Sequence, residues 1–398
     1  MKRIAIIFNG DIHNRKGYFN AVLERVKRLY KREEYLVDVF CLSQYDYWFV
    51  RQLRHTQASA KPALINIDGV PINLIWYPFS LIDYLLSVKL HKNKLFEPIF
   101  IKRMVNHFKS YDLISAHSTI PGLVALNIKK LFNIPYIVTW HGSDIHTEPS
   151  RNYHYKKLVS MVISGAETSM FVSKNLRDTA QLIFPEMKAS YVSYNGAADT
   201  FYKYEENKLE LVRQQYGLTK TDKVVGFVGG LAPIKNVDII PDIFYHIKGK
   251  CPSTKFWIIG DGKLRKLIET KFQEKYPDIN CKMFGNQSVS AMPDLMNCID
   301  ILVLPSKNEG LPLVIVEALR CATNVVAANV GGIKEVIGDK NVINHGDDFI
   351  ERFSQRCIDI LCNNETCPKL PSQFDWTTIV NKESMLYQSI LHSDKIRL

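Results

Sequence analysis

The 398-residue chain has no stretch approaching the ~18 uninterrupted apolar residues of a membrane-spanning helix. Its most apolar region, residues 70–88, is broken by Pro71, Asn73, Pro78 and Asp83, so no bilayer-crossing helix is expected, although contact with a membrane surface stays open. The opening MKRIAIIFNG offers only five apolar residues before Asn9, too few for the core of an export signal and enough for a buried first strand. Export is not expected and a cytoplasmic setting is. No CxxC pair occurs among the eight cysteines; the one cluster, Cys357, Cys362 and Cys367, runs C-x4-C-x4-C, which argues for reduced thiols and against a zinc site. No GxGxxG follows the first strand, which disfavours a dinucleotide cofactor there.

What the chain has in excess is positive charge, unevenly placed. Of the net +11, residues 1–200 carry +10 (26 Lys/Arg against 16 Asp/Glu) and the remainder +1 (25 against 24). The basic residues form no compact arm and accompany no recognition motif, so nucleic acid is not expected as a partner. An anionic membrane surface, or a phosphate-bearing acceptor near it, suits the charge better. Segment 89–109 sets Lys89, Lys92, Lys94, Lys102, Arg103 and Lys109 among apolar residues, and aromatics crowd 45–49 and 74–79. A basic amphipathic helix at the headgroup region fits this pattern; a helix packed on a sheet with its lysines in water is the plain alternative. With 46% apolar residues, the chain has enough material for a core in each of two or three domains.

Strands, glycine loops and helices alternate throughout. Strand Ile4 to Phe8 ends at Asn9-Gly10, a loop with Gly17 leads into a helix over about 18–31, and strand Leu36 to Leu42 completes a β-α-β unit. Sheets of this kind collect ligands at the carboxyl ends of their strands, so Gly10 and Gly17 are expected to line a cleft. Strands Asp112 to His117 and Pro135 to His141 each end in a histidine, and HGSDIH then sets His141 and Asp144 around Gly142. A site histidine or a satisfied structural one both fit. His146 lacks a third ligand at usable spacing, so no metal is expected. After strands at 168–172 and 189–193, Asn195-Gly196 marks a junction at about 195–200.

The second half starts again. Strand Val224 to Val228 runs into GGLAPIKN, where a glycine pair and Lys235 can hold a phosphate. Strand Phe256 to Ile259 precedes Gly260-Asp261-Gly262, and strands follow at 281–284, 301–305 and 324–327, the last reaching Gly331-Gly332. Residues 306–328, which follow the strand at 301–305 and run through the next, set Glu309 and Glu317 eight positions apart. Pro312 suits the first position of a helix, with Glu309 on the loop before it and Glu317 inside it. The free N–H groups and positive dipole end of that helix favour an anion. Acids beside an anion are better used on neutral hydroxyls. A phosphate flanked by hydroxyls describes a nucleotide sugar; a capped core helix with two surface glutamates is the alternative. The fold class expected is α/β, with two doubly wound Rossmann-like domains.

WHGSDIH, the NG at 195–196, GGLAPIKN, IIGDG, the Glu309-x7-Glu317 element, VGGIKE and the closing FDWTTIVNKESMLYQSIL, in that order, resemble glycosyltransferase family 4, retaining enzymes of the GT-B fold. The resemblance implies an acceptor-side domain over 1–197, a donor domain over 198–375, a cleft between them, and a last helix, 376–398, crossing back to the first. It implies a nucleoside diphosphate sugar held mainly by residues 224–335, with no metal and no other cofactor. Lys235 would contact the diphosphate, Glu317 the ribose and Glu309 the donor sugar. The turn Gly310, Leu311, Pro312 and Leu313, together with Gly229, Gly230, Gly260 and Gly262, would line the donor, and His141 would approach the transferred sugar. Gly10, Gly17 and Asp144 fall on the acceptor side.

Two departures stand out. Gly230 occupies a position where many relatives have an arginine, with Arg265 a possible substitute cation, and the first loop, GDIHNRKG, lacks the family's double glycine. The activity implied is transfer of a sugar, with retention, to a hydroxyl of a lipid-linked saccharide at the inner membrane face, in synthesis of a capsule or teichuronic-type polymer. A nucleotide-sugar epimerase of the same fold and a non-catalytic two-lobed sugar-binding protein remain the alternatives.

Overall fold

A computed structural model describes residues 1–12, 17–45, 61–78 and 104–393. It divides into two compact units, Met1–Asn195 with Trp376–Leu398, and Gly196–Asp375.

In the first unit the described strands are β1 (Lys2–Asn9), β2 (Tyr35–Tyr45), β3 (Leu64–Ile67), β4 (Val70–Pro78), β5 (Leu113–His117), β6 (Tyr136–Trp140), β7 (Thr168–Phe171) and β8 (Ser190–Val192). They form one sheet in the order β3-β4-β2-β1-β5-β6-β7-β8. Ile4, Ala5, Ile6 and Ile7 are wholly buried, the pattern of a central parallel strand covered on both faces. Strand order reverses between β1 and β5, which places a crevice beyond Asn9 and His117.

The strands β3 and β4 are an antiparallel hairpin absent from the sequence reading. Asp68 and Gly69 sit at φ 52° and 85°, the paired left-handed residues of a tight hairpin turn, so the Asp-Gly dipeptide was its signal. The hairpin takes in most of the aromatic run 74–79, of which residues 74–78 are described. They lie in β4, where Tyr77 is buried and accepts a hydrogen bond from Gln44 Nε2 at 2.7 Å. Residues 46–49 and the basic segment 89–103 lie outside the described residues; of the rest of that segment, 106–108 is a single 3₁₀ turn with Phe108 buried. Among the described residues no helix is long and apolar enough to cross a membrane.

The last helix, Trp376–Ser393, belongs to the first unit. Its residues Trp376, Ile379, Val380, Glu383, Ser384, Tyr387, Ile390 and Leu391 are buried at helical spacing, and one of them is charged. Glu383 meets Arg25 of helix Gly17–Tyr30, both side chains fully removed from solvent. The guanidinium also donates to Ser193 Oγ (2.8 Å) and to the Tyr194 carbonyl (3.0 Å), while Glu383 accepts from the Tyr387 hydroxyl at 2.5 Å.

The second unit holds β9 (Val224–Val228), β10 (Lys255–Ile259), β11 (Cys281–Gly285), β12 (Ile301–Leu304), β13 (Asn324–Ala328) and β14 (Val342–Ile343), a parallel sheet ordered β11-β10-β9-β12-β13-β14. Its reversal falls between β9 and β12, so the loops leaving those strands, at Gly229 and Ser306, flank its crevice.

Candidate functional site

In the second unit the two loops at the crevice are tied together. The Lys307 N–H donates to the Ile234 carbonyl at 2.9 Å. This brings Lys235, at the end of the 3₁₀ turn Pro233–Lys235, onto Glu309: Lys235 Nζ donates to Glu309 Oε1 at 2.6 Å, and Ser306 Oγ donates to the same oxygen at 2.7 Å. Among the described residues Oε2 makes no hydrogen bond. The Glu309 side chain is 9% exposed and that of Lys235 25%, so the pair is held in a partly dry place with one carboxylate oxygen and two ammonium hydrogens still available. The loop is backed by Gly331 at φ +56°, where a Cβ would lie 1.9 Å from the Glu309 carbonyl oxygen; the Gly332 N–H then donates to the Gly310 carbonyl at 2.8 Å. Ser306 had no place in the sequence reading, although its position three residues before Glu309 in a turn was the available signal.

The helix after this loop is Leu313–Arg320. Pro312 does not occupy its first position as expected. It caps it, at φ −70° and ψ 119°, because an extended ψ is needed there to turn the chain in from the loop. Ile315, Val316, Ala318 and Leu319 face the core, while Leu313 and Glu317, four residues apart and hence on one side of the helix, are half-buried. The first amides of this helix have no intrahelical acceptor. Glu309, Lys235, Gly310 and the helix start are thus assembled at one strand-end crevice.

The other glycines divide. A Cβ at Gly260 would lie 2.0 Å from the Gly229 carbonyl oxygen, and one at Gly262 2.5 Å from the Leu231 carbonyl oxygen. The close approach they permit is between two loops of the protein, joined by Leu231 N–H to the Asp261 carbonyl at 3.0 Å. Gly230, by contrast, is exposed, and a Cβ there would meet only the Asp261 carbonyl oxygen, at 4.0 Å, an ordinary contact. Arg265 is committed to its own helix and the loop before it: Nε donates to Glu269 at 2.7 Å and Nη1 to Asp261 at 3.2 Å. Its charge is therefore already matched.

In the first unit a cavity of about 480 Å³ opens at the predicted crevice, lined in part by Asn9, Gly10, Tyr18, Ser118, His141 and Asp144. Gly17 does not line it; as the first, exposed residue of its helix it meets nothing nearby. His141 Nε2 lies 3.1 Å from Nδ1 of the fully buried His117, and the Tyr18 ring stands edge-on to it at 4.7 Å. Burial, and then the Arg25 cation, push His141 down to about 3; burial, His141 and Arg25 push His117 well below the usual range. Both rings are neutral at ordinary pH. His117 Nε2 is buried and, among the described residues, unpaired. A buried lone pair costs less than a buried N–H, so His117 carries its proton on Nδ1 and donates to His141, leaving His141 protonated on Nδ1. The histidine ending β5 is thus the second shared element that sequence left unassigned.

Gly142, at φ 148°, turns its N–H onto Asp144 Oδ1 at 3.0 Å. Burial nonetheless pushes Asp144 up to about 6, against the pull of the backbone N–H bonds from Gly142 and His141. An acid whose folded pKa is raised costs stability once ionised. That cost is absent below the unfolded value, grows as pH rises from about 4 to about 6, and is full above. Stability of wild type minus that of Asp144→Asn, measured by denaturant unfolding from pH 4 to 7, should fall by on the order of 3 kcal/mol across that window. Parallel curves would show that Asp144 is ordinary.

The comparisons with known proteins agree with this architecture. Residues 209–373 match the family described as glycosyl transferases group 1, and residues 79–175 the family described as glycosyl transferase 4-like. An uncharacterized glycosyltransferase of Methanocaldococcus jannaschii is 29% identical over 296 residues, 70% of this chain and 76% of that one. A putative teichuronic acid biosynthesis glycosyltransferase of Bacillus subtilis, TuaC, is 28% identical over 228 residues, 57% of this chain and 55% of that one. Among solved structures, Anabaena HepE in complex with UDP-glucose superposes with a TM-score of 0.67 at 18% identity, covering 97% of this chain and 99% of that one. Two parallel α/β units, two family matches lying one in each unit, and full-length likeness to such a structure place the chain among the family 4-like glycosyltransferases of the GT-B fold.

Proposed function

We propose that the protein transfers a sugar, with retention of anomeric configuration, from a nucleoside diphosphate sugar to a hydroxyl of a lipid-linked saccharide in cell-envelope polysaccharide synthesis. The observation that carries this is the Lys235–Glu309–Ser306 group at the crevice of the second sheet, beside the start of helix Leu313–Arg320. In this reading the donor diphosphate lies between the Lys235 ammonium and the N–H groups of Gly310, Leu311 and Leu313. The ammonium and the helix start together neutralise the leaving diphosphate as its charge develops, a task that falls to a divalent cation in other enzymes. No metal is required in this scheme. Ser306 and Lys235 hold Oε1 of Glu309, leaving Oε2 to accept from hydroxyls of the donor sugar. Glu317, one turn inside the helix, accepts from the ribose. Gly230 supplies exposed backbone next to the half-buried Gly229. Gly260 and Gly262 shape the loop beneath them, and Arg265, held by Glu269 and Asp261, opens the helix that follows.

The cavity at His141 and Asp144 takes the acceptor side, and neutral His141 offers its Nδ1–H to a sugar hydroxyl. The acceptor hydroxyl attacks on the face from which the diphosphate departs, and its proton passes to the departing phosphate oxygen. The relative named for teichuronic acid biosynthesis supports an envelope polymer, the UDP-glucose complex supports a nucleotide-sugar donor, and the +10 charge of residues 1–200 supports work at an anionic membrane face.

A panel of UDP-, GDP- and ADP-sugars, read by thermal shift in the presence of EDTA, tests the donor half of the proposal. One class should raise Tm, and Glu317→Ala should weaken that class by about 10–100-fold, the worth of a hydrogen bond or two to a charged acceptor. Product formed without any acceptor would point to an epimerase, and no shift with any sugar nucleotide would overturn the site.

A further inference from the structure

Away from the crevice, the second unit carries two thiols in contact. Cys251 Sγ lies 3.9 Å from Cys362 Sγ, and of the two Cys362 is exposed and Cys251 half-buried. Cys251 closes helix Ile240–Lys250, its N–H donating to the Ile247 carbonyl at 2.8 Å. Cys362 is the penultimate residue of helix Phe349–Asn363. A second contact fixes how these helices lie: Ser354 Oγ is 3.4 Å from the Ile243 carbonyl. From Ile243 to Cys251, and from Ser354 to Cys362, the chain advances by the same eight residues. The helices therefore run side by side in one direction, and the approach of the two sulfurs follows from helix packing. A sulfur–sulfur bond is about 2.05 Å, so the thiols must close by roughly 1.9 Å. Rotation about a Cα–Cβ bond moves a sulfur that far without displacing either helix.

We propose that Cys251 and Cys362 are a reversible oxidation site, converted to a disulfide by exchange with a low-molecular-weight disulfide. The exposed Cys362, as thiolate, attacks one sulfur of the small disulfide and expels its first thiolate, leaving a mixed disulfide on Cys362. Cys251 loses its proton and attacks the Cys362 sulfur, expelling the second thiolate. Both cysteines are oxidised, the small disulfide is reduced to two thiols, and the two protons end on those thiols. Burial and the neighbouring thiol push Cys251 up to about 11, so its thiolate is not stabilised in a way that would oppose oxidation.

The bond joins residues 111 apart and encloses β10 to β14 and the Glu309 loop. Both helices start at the crevice: one follows Lys235 by five residues, the other follows His345, whose Nε2 lies 3.1 Å from the Ser306 carbonyl. Stapling their far ends restrains the unfolded second unit without touching the crevice.

The test uses the full chain incubated with oxidised glutathione, then mass analysis, non-reducing peptide mapping and thermal unfolding. The expected result is loss of the mass of two hydrogens, a cross-linked peptide containing Cys251 and Cys362, and a rise in Tm of about 5–15 °C that dithiothreitol reverses. Cys251→Ser should stop the reaction at a glutathione adduct on Cys362, and Cys362→Ser should abolish the Tm rise. An unchanged thiol count, a cross-link to the buried Cys357 instead, or an adduct on Cys362 that persists with Cys251 present would each overturn the proposal.

Discussion

Lys235→Ala is expected to lower kcat by about 10²–10³-fold with the donor that the thermal-shift panel selects, the loss typical of removing one preorganised stabiliser of developing negative charge. The geometry predicts two separable effects. The leaving diphosphate loses its cation. Glu309, whose side chain is 9% exposed and whose Oε1 receives Lys235 at 2.6 Å, becomes a carboxylate without its counter-charge, held mainly by Ser306. A partly buried carboxylate left so, beside an arriving diphosphate, also weakens donor binding. Glu309→Gln in the Lys235→Ala background removes that repulsion, so donor affinity should recover while turnover does not. Adjacent residues in one hydrogen-bonded group do not combine additively, and this cycle measures their coupling. Single-turnover rates and donor Kd, measured in parallel, separate the two effects. Wild-type turnover in Lys235→Ala would dismiss the lysine from the chemistry altogether.

Glu383→Ala is expected to destabilise the first unit by about 3–5 kcal/mol, seen as a Tm lower by about 6–20 °C. The cost arises from what is left behind. Arg25 is fully buried, its Nε already lacks a partner among the described residues, and its remaining bonds go to uncharged groups at Ser193, Tyr194 and Asn195. Losing Glu383 leaves a cation in low dielectric with no counter-charge, and leaves the Tyr387 hydroxyl with Ser115 at 3.1 Å as its remaining partner. Replacing both charges, as Arg25→Met with Glu383→Leu, should restore most of the stability, because the pair itself contributes little beyond repaying its own desolvation. The double variant has a second readout. Arg25 is one of the causes holding His117 and His141 neutral, so without it both imidazoles should titrate at higher pH by NMR. A Glu383→Ala variant as stable as wild type would mean that the last helix is held by its apolar face alone.

Much of this was legible in the chain. Ile4 to Phe8, Val224 to Val228 and Ile301 to Leu304 announce buried parallel strands because a central strand is covered on both faces and shows an unbroken apolar run. Gly10 and Gly229 fall at strand exits because punctuation residues act locally. Glu309 on a loop and Glu317 on the following helix could be inferred from spacing, since helical periodicity is a property of a dozen residues at most.

What tertiary structure alone decided are meetings between residues far apart in the chain. Lys235 and Glu309, 74 residues apart, were assigned different parts of a ligand and turned out to be hydrogen-bonded to each other. Arg25 and Glu383, 358 apart, look like two surface charges until the helices that carry them pack. Gly260 and Gly262 carry the composition of a ligand loop, yet the backbone against them is the protein's own. Local pattern records which side of an element is covered; it does not record by what. The partner depends on strand order and on where two loops leave the sheet, and these are settled only when the whole sheet closes its register.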